Sequence, residues 1–275
     1  MEHFNLDYLR LSIFLGAFGL LAIAEALRPR RKMESGRIGR WFSNISLTFI
    51  GVVLVRLVLG TAAFGAAQFA ADRGWGFLND VNLSWPVESA IGFLLLDLMI
   101  YLEHVLSHAL PFLWRFHLVH HSDLEFDVTT ALRFHPIETL ILMFYKIGLV
   151  AALGIDPWTL VIYEGAYIVS TQFNHANVKL APSVDVKLRR FIITPDFHRV
   201  HHSMEAEETN SNFGFCLPWW DMLLGTYRAQ PAMPHNVMQI GLAEYREPEE
   251  LSLPGLLLVP FNPRMGGYSF GKSEE

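Results

Sequence analysis

The chain has 275 residues, of which 52% are hydrophobic and 17% are charged, whereas ordinary soluble domains carry roughly 25% charged residues. Its mean hydropathy of +0.28 indicates more apolar surface than one compact soluble core can bury, so a lipid-facing surface is expected. The net charge of −6 argues against nucleic-acid binding, which normally uses a basic face. The single cysteine, Cys216, excludes an internal disulfide framework and a four-cysteine metal site.

Residues 8–27 form the first predicted transmembrane helix, because about 20 apolar residues in a helix span roughly 30 Å of bilayer. The basic residues Arg28, Arg30, Arg31 and Lys32 follow this stretch, whereas those of a signal peptide would precede it. The segment is therefore expected to be retained. By the positive-inside rule the basic loop faces the cytoplasm, which places the amino terminus outside.

Two further spans are predicted at residues 45–70 and 87–105. Two apolar stretches follow, at residues 137–155 and 158–173, and the sequence GIDP at 154–157 is a turn signal between them. They either cross the bilayer twice or form a re-entrant hairpin. The predicted fold is thus an all-α integral membrane bundle, with about four transmembrane helices or three plus the hairpin, and a cytoplasmic histidine-rich helical cap.

Both alternatives for the hairpin give the same topology. The loop at 72–86 lies outside, and residues 104–136 and everything after 173 lie inside. Three regions are expected: transmembrane helices and a basic loop at 1–86, a catalytic domain at 87–230, and a cytoplasmic tail at 231–275. An apolar stretch within the tail, 251–260, is too short to span and is expected to pack on the cytoplasmic domain or at the interface.

Ten of the 12 histidines lie between positions 104 and 202. Most form short boxes: His104 and His108 make HxxxH, His117, His120 and His121 make HxxHH, and His198, His201 and His202 make a second HxxHH. Residues three or four apart share one face of a helix, so each box directs two or three imidazoles the same way. Neutral imidazole is a ligand for iron, zinc and copper.

The three boxes and the isolated His175 supply nine ring ligands, which is more than one tetrahedral zinc uses. Two metals with four or five ligands each account for this number better. Carboxylates are expected to hold the ring N–H groups, and the candidates are Asp97, Glu103, Asp123, Asp127, Glu138 and Asp196.

Other residues of interest lie outside the three boxes. His135 is either a further ligand or a structural group at a helix start, since Pro136 suits a first helical turn. Asp97 and Tyr101, one turn apart below His104, are expected to orient the ligands as catalytic residues. His3 and His235 are expected to be solvated, and Trp114, Phe116, Trp219 and Trp220 to be interface or core groups.

These motifs resemble those of the fatty acid hydroxylase superfamily, also called the sterol desaturase family. The matching segments are HVLSH (104–108), HLVHH (117–121), TALRFHP (130–136), NHAN (174–177), TPDFHRVHHS (194–203) and WDMLLGTYR (220–228). The resemblance covers about residues 90–230. It implies a membrane enzyme with a histidine-ligated centre of two irons, as Fe²⁺ or with zinc as a substitute, that uses O2 to hydroxylate or desaturate a lipid such as a sterol or fatty acyl chain.

The implied metal ligands are His104, His108, His117, His120, His121, His175, His198, His201 and His202. The sequence departs from the family at two positions. Val105 stands where many members have arginine, and Thr171 stands where some have a second histidine. The sequence has no GxGxxG dinucleotide fingerprint, no haem domain and no cysteine cluster, so a separate electron-transfer protein is expected as a partner.

Two other functions could use clustered histidines. A zinc-dependent intramembrane hydrolase would need a glutamate beside the first histidine of an HExxH box, where Val105 stands. A non-catalytic metal-binding or transport protein would distribute its ligands across the bilayer midplane, whereas these cluster on the predicted cytoplasmic side. Both remain alternatives to the oxygenase.

Overall fold

The computed structural model describes residues 6–34, 36–60 and 62–268. Within these ranges the secondary structure is helical, apart from two isolated bridges. The helices are α1 (Leu6–Leu27), α2 (Arg37–Leu59), α3 (Ala62–Arg73), α4 (Trp85–Ala109), α5 (Pro111–His121), α6 (Pro136–Leu153), α7 (Pro157–Asn174), α8 (Pro182–Leu188), α9 (Pro195–His201), α10 (Ala206–Thr209), α11 (Trp219–Leu224) and α12 (Leu253–Leu258). The predicted all-α class is confirmed.

Four helical stretches are long and apolar enough to cross a membrane: Leu6–Leu27, Arg37–Asp80, Trp85–Ala109 and Pro136–Leu153. They carry large apolar side chains on the outer surface of the bundle; Leu20 and Leu57, for example, are 71% and 81% exposed. Such a surface suits lipid rather than water, where large apolar patches are rare. The protein is a helical membrane protein.

The second predicted span consists of two helices. Helix α2 ends at Gly60, which takes a positive φ of 60° and donates its N–H to the carbonyl of Arg56 at 3.1 Å. Both α2 and α3 pack along α6. The contact with α6 is close at Gly51, where a Cβ atom would lie 3.0 Å from the hydroxyl of Thr139. The glycine therefore lets the two helices approach.

The turn between α6 and α7 confirms the predicted turn signal. Gly154 adopts the left-handed conformation, and the Asp156 side chain caps α7. The same carboxylate accepts a hydrogen bond from the Trp85 indole at 3.2 Å, and Thr159 donates to Ser89 at 2.8 Å. Because Trp85 and Ser89 lie in the first turns of α4, the hairpin reaches the end of the bundle opposite the histidines.

The residues predicted as a cytoplasmic tail pack onto the histidine end of the bundle. The structure describes this segment up to Tyr268. A buried cluster joins Leu242, Tyr245, Leu256, Val259 and Tyr268 to Leu47, Trp114, Leu118 and Val119. The indole of Trp114 donates to the carbonyl of Met265 at 2.8 Å. Helix α12 lies on α2, which agrees with the expectation that this apolar stretch packs rather than spans.

Candidate metal centre

The first histidine box occupies the last two turns of α4. His104 and His108 are one turn apart and share a face, with exposed fractions of 1% and 0%. Their Nδ1 atoms are held by the segment that follows the third box. Nδ1 of His104 lies 2.7 Å from the carbonyl oxygen of Phe213, and Nδ1 of His108 lies 3.2 Å from the side-chain oxygen of Asn210.

The second box lies at the end of α5, which begins at Pro111, where the missing N–H costs no hydrogen bond. Helical geometry separates its three rings, since successive residues are rotated by about 100°. His117 and His121 therefore point in similar directions, and His120 points away from His121. One short helix can thus serve two neighbouring sites.

The third box begins on α9 and ends at His202, the residue directly after this helix. The start of α9 is fixed by Thr194, because the threonine hydroxyl accepts a hydrogen bond from the N–H of Phe197 at 3.3 Å. His201 and His202 are neighbours in sequence and meet different partners, since Nε2 of His202 lies 3.2 Å from Nε2 of His175 and Nε2 of His201 lies 3.1 Å from Nε2 of His104. This box is therefore also divided between two sites.

The nine predicted histidines form two groups, and within each group the possible ligand atoms all lie within 4.8 Å of one another. One group contains His104, His108, His117, His121 and His201, and the other contains His120, His175, His198 and His202. The groups are adjacent, since the rings of His121 and His202 stack with centroids 4.6 Å apart. Their size matches the expectation of four or five ligands per metal, while their role as ligands stays a prediction.

The spacing of the ring nitrogens suits a shared ion. Nε2 of His104 lies 3.1 Å from Nε2 of both His117 and His201, and Nε2 of His175 lies 3.2 Å from Nε2 of both His198 and His202. Two nitrogens bound to one metal at about 2.1 Å are separated by about 3.0 Å at a right angle and about 3.4 Å at the tetrahedral angle. The observed separations fall between these values.

The hydrogen bonds at Nδ1 show which nitrogens carry protons. A carbonyl oxygen can only accept, so Nδ1 donates in His104, in His201, where it is 2.7 Å from the carbonyl of Ser211, and in His175, where it is 2.6 Å from the carbonyl of Thr171. In a neutral ring Nε2 is then unprotonated. Facing lone pairs without a cation would repel, so the arrangement fits a metal site.

The rings are neutral at physiological pH because they are buried. Burial lowers the pKa of His117 to about 3 and that of His175 to about 4, since a charged imidazolium is poorly solvated inside a protein. Burial also lowers the pKa of His120, His198 and His202 well below the usual value. Neutral imidazole is the form that binds metal.

Glu138 supports the second box from the first turn of α6. Its Oε1 lies 2.6 Å from Nδ1 of His117. Among the predicted carboxylates, and within the described residues, Glu138 is the one that bonds to a ring of either group. The others bind elsewhere: Asp123 and Asp127 pair with Arg40, Asp196 pairs with Arg30 and Arg199, Glu103 accepts from Ser107, and Asp97 accepts from Leu217 and Trp220.

Asp97 and Tyr101 hold the segment that follows the third box. The Asp97 carboxylate accepts from the Trp220 indole at 2.8 Å, and the hydroxyls of Tyr101 and Thr226 are 2.8 Å apart. The Tyr101 ring also contacts the Phe213 ring edge-on. Since Phe213 accepts the proton of His104, the two α4 residues reach the histidines through this segment.

Asp221 is a further supporting residue, which the sequence analysis missed. Its buried carboxylate accepts from the backbone N–H groups of Phe213 and Gly214, both at 2.8 Å, and from the hydroxyl of Thr226 at 2.7 Å. The bend that presents the Phe213 carbonyl to His104 is thereby fixed. Asp221 stands within WDMLLGTYR, so the matching motif was the available signal.

Glu25 on α1 was also missed. It is 1% exposed, and Oε1 accepts from the N–H of Val128 at 2.8 Å and from the N–H of Asn177 at 2.7 Å. It thus ties the first helix to the loop after the second box and to the loop that carries His175. An acidic residue within an apolar span was the available signal.

The basic loop after α1 has structural partners as well as a topological role. Arg30 pairs with Asp196 at 3.0 Å, and Arg31 donates to the carbonyls of His235 and Met238 at 2.8 and 2.7 Å. His235 is only 5% exposed, so the expectation that it is solvated is wrong. His3 lies outside the described residues.

His135 lies outside both histidine groups and caps the start of α6. It is the residue before α6, and its Nδ1 accepts a hydrogen bond from the N–H of Ile137 at 3.2 Å. Of the predicted aromatic groups, Trp114 and Phe116 are buried, whereas Trp219 is 39% exposed.

The fatty acid hydroxylase family model matches residues 89–226, a range that contains all nine histidines of the two groups. The chain belongs to the fatty acid hydroxylase family. Within this range the boxes occur in the order HxxxH, HxxHH and HxxHH. This membership makes the protein an oxidoreductase, and the named relatives below agree.

Among curated relatives, the ornithine lipid hydroxylase OlsE of Rhizobium tropici is 32% identical over 232 residues, covering 80% of this chain and 67% of that protein. Human alkylglycerol monooxygenase is 30% identical over 167 residues, covering 57% of this chain and 34% of that protein. Rat cholesterol 25-hydroxylase is 29% identical over 143 residues, covering 51% of this chain and 47% of that protein. No solved structure matches.

Thr171, one of the two departures from the family pattern, supports a histidine of the second group. Thr171 lies one turn before His175, and its carbonyl oxygen accepts the Nδ1 proton of that ring. Its hydroxyl donates back to the carbonyl of Tyr167 at 2.8 Å. The threonine thus orients the histidine that is present.

Proposed function

We propose that the protein is an O2-dependent di-iron hydroxylase of a membrane lipid. The observation that supports this most directly is the pair of adjacent groups of five and four neutral imidazoles, whose unprotonated nitrogens converge. Five-coordinate binding suits iron better than structural zinc, which is normally four-coordinate. Two iron ions would supply the redox chemistry with O2 that inserts oxygen into an unactivated C–H bond, which side chains cannot do.

The chain contributes orientation and exclusion of water. The nine rings are at most 2% exposed, and the carbonyls of Phe213, Ser211 and Thr171 together with Glu138 fix the orientations of four of them. We assign Asp97 and Tyr101 to the same task, as positioning residues that act through the segment around Phe213.

The proposed substrate is a polar membrane lipid. The match to the ornithine lipid hydroxylase covers 80% of this chain, which is more than the family domain alone. Because α4 carries its histidines at one end of a membrane-spanning helix, a substrate can approach the centre with its tail in the bilayer. Hydroxylation is favoured over desaturation, since the named relatives are hydroxylases and monooxygenases.

The proposed location of the centre is the cytoplasmic side. Arg30 in the basic loop pairs with Asp196 on α9, the helix of the third box, so the positive-inside signal and the histidines lie at the same end. Two electrons per turnover are proposed to come from a separate redox protein, which would approach from that side.

The alternatives fit less well. The hydrolase would need a base where Val105 stands, and a transport site would need ligands along the bilayer rather than at one end.

The test is lipid analysis of cells that contain the intact protein under ¹⁸O2. We expect a lipid that gains one oxygen atom, derived from O2 rather than water. His120→Ala should insert normally in the membrane but form no product. Iron analysis should give about two iron ions per chain for the wild type. An iron-loaded protein that leaves every lipid unchanged would contradict the proposed activity, and a single tightly held zinc would favour the hydrolase.

A further inference from the structure

An apolar surface covers one side of the molecule next to the third histidine box. It is formed by exposed side chains on α11 and in and after α8, namely Trp219, Met222, Leu223, Leu224, Val184, Val186, Phe191 and Ile192, with exposed fractions between 37% and 73%. We call this surface the apolar shoulder. The two parts are joined directly, since the Trp219 indole donates to the carbonyl of Arg190 at 2.8 Å.

The shoulder lies beside the middle of a membrane-spanning helix. Residues within α11 and on either side of it are bound to α4: Leu217 and Trp220 donate to Asp97, and Thr226 bonds to Tyr101. Asp97 is twelve residues from both ends of α4, which is about 18 Å from each end.

This position fixes the depth of α11. If the hydrocarbon region begins at the amino end of α4, at the half-exposed Trp85, its thickness of about 30 Å extends about 12 Å beyond Asp97 towards the histidines. Tyr101 is about 6 Å from Asp97 along the helix and also lies within this region. With the bilayer placed in this way, the α11 segment is at the depth of lipid tails, although it was predicted as part of a cytoplasmic cap.

The charges around the shoulder agree with this depth. Within residues 178–194 and 217–227 the acidic residues are Asp185 and Asp221, and both are buried. The exposed charged residues there are Lys179, Lys187 and Arg190. They lie within or next to α8 and none lies on α11, so the cations are confined to the α8 part of the surface. Cations beside an apolar surface suit anionic headgroups above lipid tails.

We propose that the apolar shoulder is immersed in the membrane leaflet at the histidine end, with anionic lipid headgroups bound along Lys179, Lys187 and Arg190. A bilayer is the occupant that continuity indicates, because α11 lies against a helix that already spans it. The protein then contacts the leaflet through α8 and α11 in addition to its spanning helices. This inference does not depend on the reaction that the centre performs.

Depth measurements on single spin labels test the proposal in nanodiscs that hold one protein each. Cys216, which is 4% exposed, is replaced by alanine, and retained iron content shows that this background is intact. Labels are placed by Leu223→Cys, by Leu20→Cys as the lipid-exposed reference, and by Glu207→Cys as the water-exposed reference. Power saturation with O2 and with a water-soluble nickel chelate reports the surroundings of each label.

We expect the Leu223 label to behave like the Leu20 label, with high O2 and low nickel accessibility. A Leu223 label as accessible to nickel as the Glu207 label would overturn the proposal. A label inaccessible to both reagents would also overturn it, because protein rather than lipid would then cover the site.

The headgroup part has its own test. A label at Val186→Cys is compared in phosphatidylcholine discs and in discs containing one third phosphatidylglycerol. We expect the anionic lipid to lower nickel accessibility at this label at least twofold, and Lys187→Gln with Arg190→Gln to abolish the difference. Equal accessibility in both lipids for the unsubstituted protein would show that the cations do not bind anionic headgroups.

Discussion

Glu138 holds His117 through a contact of 2.6 Å between Oε1 and Nδ1, which joins the first turn of α6 to the second histidine box. Both side chains are buried. A carboxylate in this position keeps the proton on Nδ1, fixes the ring plane and makes Nε2 a stronger ligand.

Replacing Glu138 with alanine should weaken iron binding, because the Nδ1 proton of His117 loses its acceptor. Loss of such a partner typically lowers metal affinity about 10- to 100-fold. Glu138→Gln keeps an acceptor oxygen and should lose much less. Iron per chain after equilibration with graded chelator measures both, and the exposed Glu207→Ala is the control. Equal affinity for Glu138→Ala and the control would show that the contact does not support the metal.

The two histidine groups should respond differently to loss of one ring. His175→Ala leaves three rings in its group and should reduce iron from about two to about one per chain, whereas His108→Ala leaves four rings and should retain both ions with faster release. Metal analysis and chelator-release kinetics measure these outcomes.

His135→Ala is the matched control, since His135 is buried nearby but caps α6. It should keep both ions and reduce the free energy of unfolding by about 1 kcal/mol. Loss of iron from this variant would place His135 among the ligands after all.

Acid should destabilise the iron-free protein through its histidines. Burial lowers the pKa of His117 to about 3 and of His175 to about 4, while the unfolded chain has the usual histidine pKa of about 6.5. Between these values the unfolded state binds more protons, so stability falls as pH decreases from about 6.5 towards 4 and is constant with respect to these groups above 6.5.

Thermal unfolding of the iron-depleted protein in detergent between pH 4 and pH 8 measures this dependence. Iron added beforehand should protect the protein, because bound metal competes with protons for the same nitrogens. A melting temperature independent of pH below 6.5 would mean that the rings are accessible to water.

Glu25 should stabilise the loop that carries His175 from outside the family domain. Glu25→Ala leaves the buried N–H groups of Val128 and Asn177 without their acceptor, at about 1–3 kcal/mol for each. Glu25→Gln should be milder, because both bonds go to one oxygen. Thermal unfolding and iron content distinguish the two variants, with the exposed Asp72→Ala as control. If Glu25→Ala melts at the wild-type temperature, α1 does not support the centre.

The sequence predicted which histidines come together, because their spacing within each short segment is a local pattern. HxxxH and HxxHH boxes place rings on helix faces wherever a helix forms, so the nine histidines that come together were identified from short segments, while the number of metals stays a prediction. The helices were also predictable, since apolar runs of about 20 residues and the Gly154–Pro157 turn are local signals.

The division of the nine histidine rings into two groups was not predictable from their spacing alone. His120 and His121 are neighbours in sequence but belong to different groups, because the rotation along α5 matters only once other helices surround it. The contacts that support these groups join residues even further apart in the sequence. Glu25 reaches Asn177 and Arg30 reaches Asp196 across a separation of more than 150 residues, which no local pattern records.

The contact between His104 and His201 joins residues 97 positions apart, and this separation has a consequence for biosynthesis. His117 and His121 follow α4 within 12 residues of its end at Ala109, but the last member of this group, His201, follows only with α9. The group of five is complete only when residue 201 has been translated, and the group of four only with residue 202. A chain interrupted before that point would already contain every predicted membrane-spanning helix but neither complete group of rings.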